Sequence, residues 1–335
     1  MKKSRTAIIG WSLGLFLLGV SYADGADNLK KVRLAYAGWE VGTAIAYVGI
    51  DAGIFKQYEL EVEEVFARDP LSAGIQSLIG ADFLIGFGNP LAILQPMLSG
   101  ADIVSIGTHV SAVPSRMGVS ADISEIKDLK GKKIGVSGIG ERSDLLARVI
   151  LRRAGLDPAK DVEIVAAGLG PNRVAALSKN FIQGAPLTPE IADQAKRLGL
   201  KVLEVKDVPL ITAMLMTTRS FIKKDEEAVR RFIKGYLAAI HFYLTHRNES
   251  IAIIRKYFSG TDPSALENMY DVFAAQLTPL PLPNREAAQA LIDAASVVNP
   301  KSSNIKPVDL FEPRFLEEIR ANGFIEELYA EKVSL

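Results

Sequence analysis

The sequence predicts an α/β protein of two similar lobes followed by a helical region, and three observations carry that reading. A strand, a glycine-rich loop and a helix follow one another from Asp128 to Gly155. Strand-and-helix units of the same kind run through residues 32–107 and again through 133–204. After Asp225 the apolar residues keep only a helical period.

The elements follow in order. Residues 32–35 form the first expected strand, leading through Ala37-Gly38-Trp39-Glu40 into a helix over 43–52 that Gly53 stops. A strand over 61–66, a helix over 71–79 and a strand over 83–86 come next. Asn89 and Pro90 then fit the N-cap and first position of another helix, because Asn accepts from unpaired N–H groups and proline needs no donor there. Residues 103–107 are a further strand.

The middle of the chain repeats the plan. A turn at Lys130-Gly131 precedes a strand over 133–136, the loop Ser137-Gly138-Ile139-Gly140-Glu141-Arg142-Ser143, and a helix over 143–154. Leu145, Leu146, Val149 and Ile150 lay one apolar stripe along that helix, and Gly155 ends it. A strand over 162–166, a helix over 171–179, a strand over 181–183, a helix over 189–198 and a strand over 201–204 complete the second lobe. The segment 78–86 echoes 177–184, so each lobe is expected as a small sheet with helices on both faces. Beyond Asp225, helices are expected over 228–245, 250–258, 263–276, 285–298 and 313–322, punctuated by Pro279-Leu280-Pro281-Leu282-Pro283. The chain is expected to cross between lobes near 107–118 and 208–218. Lobe I is then 30–110 plus 215–330, and lobe II is 111–214.

Composition narrows the function. Lysine plus arginine and aspartate plus glutamate each number 39, so bulk charge points away from nucleic acid or an anionic membrane as partner. With three histidines and no cysteine, no metal site and no cofactor is expected. His241 and His246 stand five apart on an expected helix and do not meet as an i, i+4 metal pair does. Lys2, Lys3 and Arg5, an apolar run over 7–20 and Ser21-Tyr22-Ala23 match a secretory signal peptide over residues 1–23. The run is short of the ~20 apolar residues that a spanning helix needs. Without cysteine, no lipid attachment through that residue is expected.

Three segments together carry a family resemblance: DLKGKKIGV from Asp128, RVILRRAGLDPAKDVEIV from Arg148 to Val165, and GIDAGIFKQYELEVE from Gly49 to Glu63. The chain resembles, over about 32–328, the periplasmic substrate-binding proteins of ABC importers in the sulfonate, nitrate, taurine and thiamine-pyrimidine-precursor group. The resemblance implies a type II periplasmic binding fold with two crossover hinge strands. It implies capture of a small-molecule ligand in an interlobe cleft, with no catalytic residues. The partners it implies are an ABC permease with its ATPase, the permease being the monomer's only contact with the membrane. Two alternatives stay open: an enzyme like the eukaryotic pyrimidine-precursor synthase, which carries a cysteine-rich motif absent here, and a periplasmic ligand-sensing subunit.

Ligand residues are expected where strands end and helices begin, since such loops line the crevice of open α/β sheets. Gly38, Trp39, Glu40 and Thr43 follow the first strand. Trp39 suits stacking on a planar ligand or covering the end of the sheet, and Glu40 suits a ligand acceptor or a solvated helix start. Phe87 and Gly88 are candidate wall residues, and Asn89 either contacts ligand or caps its helix. Thr108 and the lone His109 lie at the first crossing. Gly138, Gly140 and Ser143 are expected to offer backbone N–H groups and a hydroxyl to an oxyanion. Arg142 and Arg173 are candidate clamps on a carboxylate or sulfonate, and Glu141 opposes them unless it points away. Gly138-Ile139-Gly140 is no dinucleotide fingerprint, because Ser143 stands where a third glycine belongs.

Overall fold

The structure, a computed structural model, describes residues 29–36, 41–66, 85–88, 90–258, 260–275 and 277–330. The segment read as a signal peptide and the helix expected over 71–79 lie outside them. Eight strands are described: β1 Lys30–Tyr36, β2 Leu60–Phe66, β3 Ile85–Gly88, β4 Ile103–Val119, β5 Lys133–Val136, β6 Glu163–Ala166, β7 Gly184–Leu187 and β8 Lys201–Thr218. They form one sheet in the order β2-β1-β3-β8-β4-β7-β5-β6.

The expectation of two separate small sheets is therefore corrected. β4 and β8, of 17 and 18 residues, pair antiparallel from Ile103↔Thr218 to Val119↔Lys201. β3 docks on one side of this ladder and β7 on the other. Each expected crossing and the short strand beside it are one long strand, because the ladder supplies partners to backbone groups that would otherwise be buried unpaired. Register shifts between Ser105 and Gly107, His109 and Val110, and Val113 and Ser115 fall within the crossing. Such bulges bend a ladder and increase its twist.

β7 corrects a second expectation. The strand expected over 181–183 starts at Gly184 instead. Asn180 takes a left-handed φ of 57° after the preceding helix, Phe181 is 69% exposed, and the Gln183 side chain holds the turn by donating to the Asn180 carbonyl at 3.0 Å and accepting from the Lys133 N–H at 3.1 Å. Gly-Ala-Pro-Leu reads as a turn in isolation, since proline removes a ladder donor. Packing overrides that reading: all four residues are buried between neighbouring strands.

Helices cover both faces. On one face Val41–Asp51 and Glu226–Thr245 pack Ile45, Tyr47, Phe232, Tyr236 and Ile240 against Leu34, Val104 and Ile106. On the other, Arg285–Val298 lays Ala287, Ala288, Leu291 and Ile292 on Met214, Met216 and Leu145. Asp225 and Asn284 cap these two long helices by accepting the Ala228 N–H at 3.2 Å and the Ala287 N–H at 2.9 Å.

Helix Arg285–Val298 belongs by sequence order to the C-terminal region, yet it packs on Arg142–Arg153 from the middle of the chain. Arg152 meets Asp293 at 2.5 Å and Arg153 meets Glu286 at 2.6 Å. The chain then returns to the β1–β3 half, where Glu312 N–H donates to the Ser105 carbonyl at 2.8 Å. We expect Asp293→Ala to cost about 1–2 kcal/mol in urea denaturation. That is less than a fully buried pair loses, because Arg152 keeps a third of its surface in water. An unchanged midpoint would show that the clamp contributes nothing.

Candidate functional site

The loop after β5 folds on itself before the helix Arg142–Arg153 begins. Ser137 N–H donates to Ser143 Oγ at 2.7 Å, and the two hydroxyl oxygens stand 2.8 Å apart. Gly140 N–H donates to Asp144 Oδ2 at 2.7 Å. Gly140 needs to be glycine for two reasons: its φ is +80°, and an added Cβ would stand 2.9 Å from Leu91 Cδ1. Leu91 follows β3, so this contact brings the loops of the two sheet halves against each other. Sequence reasoning gave Gly140 an N–H and Ser143 a hydroxyl for a ligand. The structure engages the Gly140 N–H with Asp144 and the Ser143 oxygen with Ser137, both within the loop. Gly138 lies under Glu141, whose carboxylate would be 2.8 Å from a Cβ there.

A pair that sequence reasoning missed holds this loop from behind. Asp144 and Arg148 are fully buried, with Nε 2.9 Å from Oδ1. The contact is an ion pair by distance, without the alignment of a hydrogen bond. The signal was an acid and a base at i, i+4 within an otherwise apolar helix face, a spacing that places them side by side.

Cations stand at the start of this helix. Glu141 stands at the N-cap without capping through its side chain, so the first helical N–H groups lack an internal acceptor and the helix start carries about +0.5 charge. Arg142 is exposed and makes no ion pair among the described residues, yet nearby chain excludes enough water to lower its pKa. Arg173, from helix Gly170–Ser178, is 6% exposed and donates through Nη1 to the Pro186 carbonyl at 2.6 Å. Its Nε is buried without a partner. Burial lowers its pKa, and attraction to Glu141 opposes that shift. Two guanidinium groups and one carboxylate thus share the carboxyl end of the β5–β7 half.

The β1–β3 half contributes differently. Gly38, Trp39, Glu40 and Asn89 lie outside the described residues. Phe87 and Gly88 belong to β3 itself, opposite Leu215 and Met214, instead of following it. Thr43 is buried in the first turn of helix Val41–Asp51. Thr108 is also buried: its N–H donates to the Pro281 carbonyl and its hydroxyl to the Leu282 carbonyl, both at 2.9 Å. Its hydroxyl proton fastens the proline-rich segment to β4. His109 is 2% exposed, and Nε2 lies 2.6 Å from the Tyr236 hydroxyl. That hydroxyl also lies 3.4 Å from the Gly42 carbonyl in the first turn of the first helix. Tyr236 had appeared in the sequence only as part of a helical apolar stripe.

Residues 41–250 match the family model described as NMT1/THI5 like. The chain belongs to the NMT1/THI5-like family. Its fold is shared with the periplasmic sulfonate-binding protein SsuA from Methylobacillus flagellatus KT, at 20% identity and a TM-score of 0.57, covering 89% of this chain and 97% of that one. The periplasmic aliphatic sulphonate binding protein SsuA from Escherichia coli is similar at 18% identity and a TM-score of 0.54, covering 84% of this chain and 92% of that one. At these identities the likeness is one of fold, the periplasmic binding protein fold. No curated protein matches the chain significantly.

Two outcomes follow for this NMT1/THI5-like site. Asp144→Asn leaves the Arg148 charge buried without a counterion, so chemical denaturation should show a loss of about 3–5 kcal/mol. A change below 1 kcal/mol would remove the pair as the loop's support. Burial also pushes the His109 pKa down to about 4 from 6.5. The unfolded imidazole takes up a proton near pH 6.5 and the folded one does not until about pH 4. This contribution to stability is therefore intact above pH 6.5 and lost progressively as pH falls to 4, roughly 3 kcal/mol in total. Urea midpoints of His109→Gln should lack that part of the acid slope, and a slope equal to the parent's would contradict it.

Proposed function

We propose that the protein is an extracytoplasmic solute-binding receptor of an ABC importer, with an organic anion as its solute. The observation that carries this reading is the pair Arg142 and Arg173, neither in an ion pair among the described residues, at a helix start beside a serine-lined loop. Charge-assisted hydrogen bonds from two guanidinium groups suit a sulfonate or carboxylate head. The named sulfonate-binding proteins of the same fold support that ligand class.

In this reading the two halves of the sheet act as lobes, residues 30–110 with 215–330 and residues 111–214. The solute lies against the loop 137–143, in the space between the two halves. The β4–β8 ladder is the hinge, bending at its bulges. Solute favours the closed form by its difference in affinity for the two forms and by nothing else. The receptor is a monomer, leaves the cytoplasm through its signal peptide without a lipid anchor, and delivers solute to a permease and its ATPase. It catalyses no reaction. A micromolar Kd needs only about −8 kcal/mol, within reach of a few charge-assisted hydrogen bonds and apolar contact.

Native mass spectrometry of freshly purified protein should reveal a retained anion. Arg142→Gln should weaken its retention about tenfold with little change in melting temperature, because that side chain supports no described contact. Arg173→Met should weaken it at least as much. Equal retention by both variants would place the solute elsewhere. Small-angle scattering should show compaction on saturation with the recovered solute, and an unchanged radius of gyration with confirmed binding would rule out lobe closure.

A further inference from the structure

Resting on the receptor reading, we infer that helix Arg285–Val298 moves as one body with the β5–β7 half, although its sequence neighbours belong to the other half. Its two connections fasten to β4 at Ser105–Thr108, and that segment is the pivot. Among the described residues the chain then crosses between the halves four times. Two crossings are the strands of the β4–β8 ladder, and two are the ends of this helix.

The ion pairs of the helix all go one way. Arg152 Nε donates to Asp293 Oδ2 at 2.5 Å, and Arg153 binds Glu286 through both Nε at 2.6 Å and Nη2 at 3.0 Å. Glu286 and Asp293 stand two turns apart on one face and hold adjacent cations of helix Arg142–Arg153. Ala290 packs in the core of the same half, with Met117, Val119, Ile134 and Ile150. Toward the β1–β3 half the contact is apolar: Ala288, Leu291 and Ile292 share a cluster with Leu94, Ile103 and Phe311. Charge-assisted bidentate bonds hold one geometry, whereas apolar contact is non-directional and tolerates small sliding.

Both connections return to one place. Before the helix, Thr108 donates its N–H to the Pro281 carbonyl and its hydroxyl to the Leu282 carbonyl, each at 2.9 Å. After it, Glu312 N–H donates to the Ser105 carbonyl at 2.8 Å, and Phe311 bridges to Ser105. These fastenings flank the register shift between Ser105 and Gly107, where the ladder is irregular. A segment tied at both ends to one point, and clamped along its length to the far half, turns about that point. The clamped helix is also the one that begins with Arg142, so Glu286 and Asp293 position a candidate ligand cation from the C-terminal region.

Amide hydrogen exchange of the solute-free protein tests the assignment without any ligand. Ile182→Val loosens a core cluster of the β5–β7 half, and Ile233→Val loosens that of the β1–β3 half. Neither cluster contains a residue of helix Arg285–Val298, and both changes are mild enough to leave the chain folded. Ile182→Val should speed exchange about fivefold over 142–153 and 285–298 alike and leave 226–245 unchanged. Ile233→Val should speed it over 226–245 and leave 285–298 unchanged. A helix that follows Ile233→Val, both variants or neither overturns the assignment and leaves the receptor reading standing. Because the chain has no cysteine, spin labels can be placed in pairs through Lys56→Cys, Lys160→Cys and Val297→Cys. With ethanesulfonate as probe, the 56–160 and 56–297 distances should shift together while 160–297 stays constant. A 160–297 shift as large as the others also overturns the assignment. If no distance shifts, closure on this anion and the receptor reading fail, and the exchange result still decides to which half the helix belongs.

Discussion

The β4–β8 ladder is the constraint on which the rest of the molecule depends. A strand that runs through the middle of a sheet buries its peptide groups on both sides, and each N–H and C=O must find a partner there. Ile103–Val119 and Lys201–Thr218 meet that requirement mainly with each other. β3 and β7 can dock only because this ladder spans both. The halves of the sheet are thus joined through the same ladder, with register shifts at three places. Thr108 ties the proline-rich segment to the middle of the ladder, and helix Arg285–Val298 then carries the C-terminal region onto the opposite half.

The candidate site inherits its electrostatics from that arrangement. Asp144 and Arg148 neutralise each other in the interior and hold Gly140 from behind. Ser137 and Ser143 satisfy one another at the loop's start. Among the described residues, what remains at the helix start is net positive: Arg142 and Arg173 against Glu141, with the first helical N–H groups beside them. Nearby chain withdraws water from Arg142 and burial withdraws it from Arg173, which lowers both pKa values. The same desolvation strengthens any hydrogen bond they make to an anion. On the other half, His109 is buried against the Tyr236 hydroxyl, and burial lowers its pKa to about 4.

Much of this was legible in the sequence. The helices over 285–298 and 228–245 were readable from their apolar period and from Asn284 and Asp225 as caps, and β5 with its helix from Lys130-Gly131 and Gly155 as punctuation. β7 was not legible, because Gly184 and Pro186 signal a turn locally and only neighbouring strands make them a strand. The single sheet was hidden for a related reason: periodicity marks where strands lie but not how far two of them pair. In the site, Arg142 and Arg173 were identifiable from position after a strand. That neither is in an ion pair among the described residues was not, since that depends on Asp144 choosing Arg148 and on Arg173 turning to the Pro186 carbonyl. Tyr236 was invisible as a polar contact because its spacing is that of a core residue.

The central claim is that an anionic solute is held between the two halves with its charge on the β5–β7 side. A crystal structure of the protein with its co-purified solute tests this most directly. The account predicts an anionic oxygen within hydrogen-bond distance of Arg173 or Arg142 and of the first turn of helix Arg142–Arg153. A solute bound with its anion on the β1–β3 half, or outside the space between the halves, would contradict it.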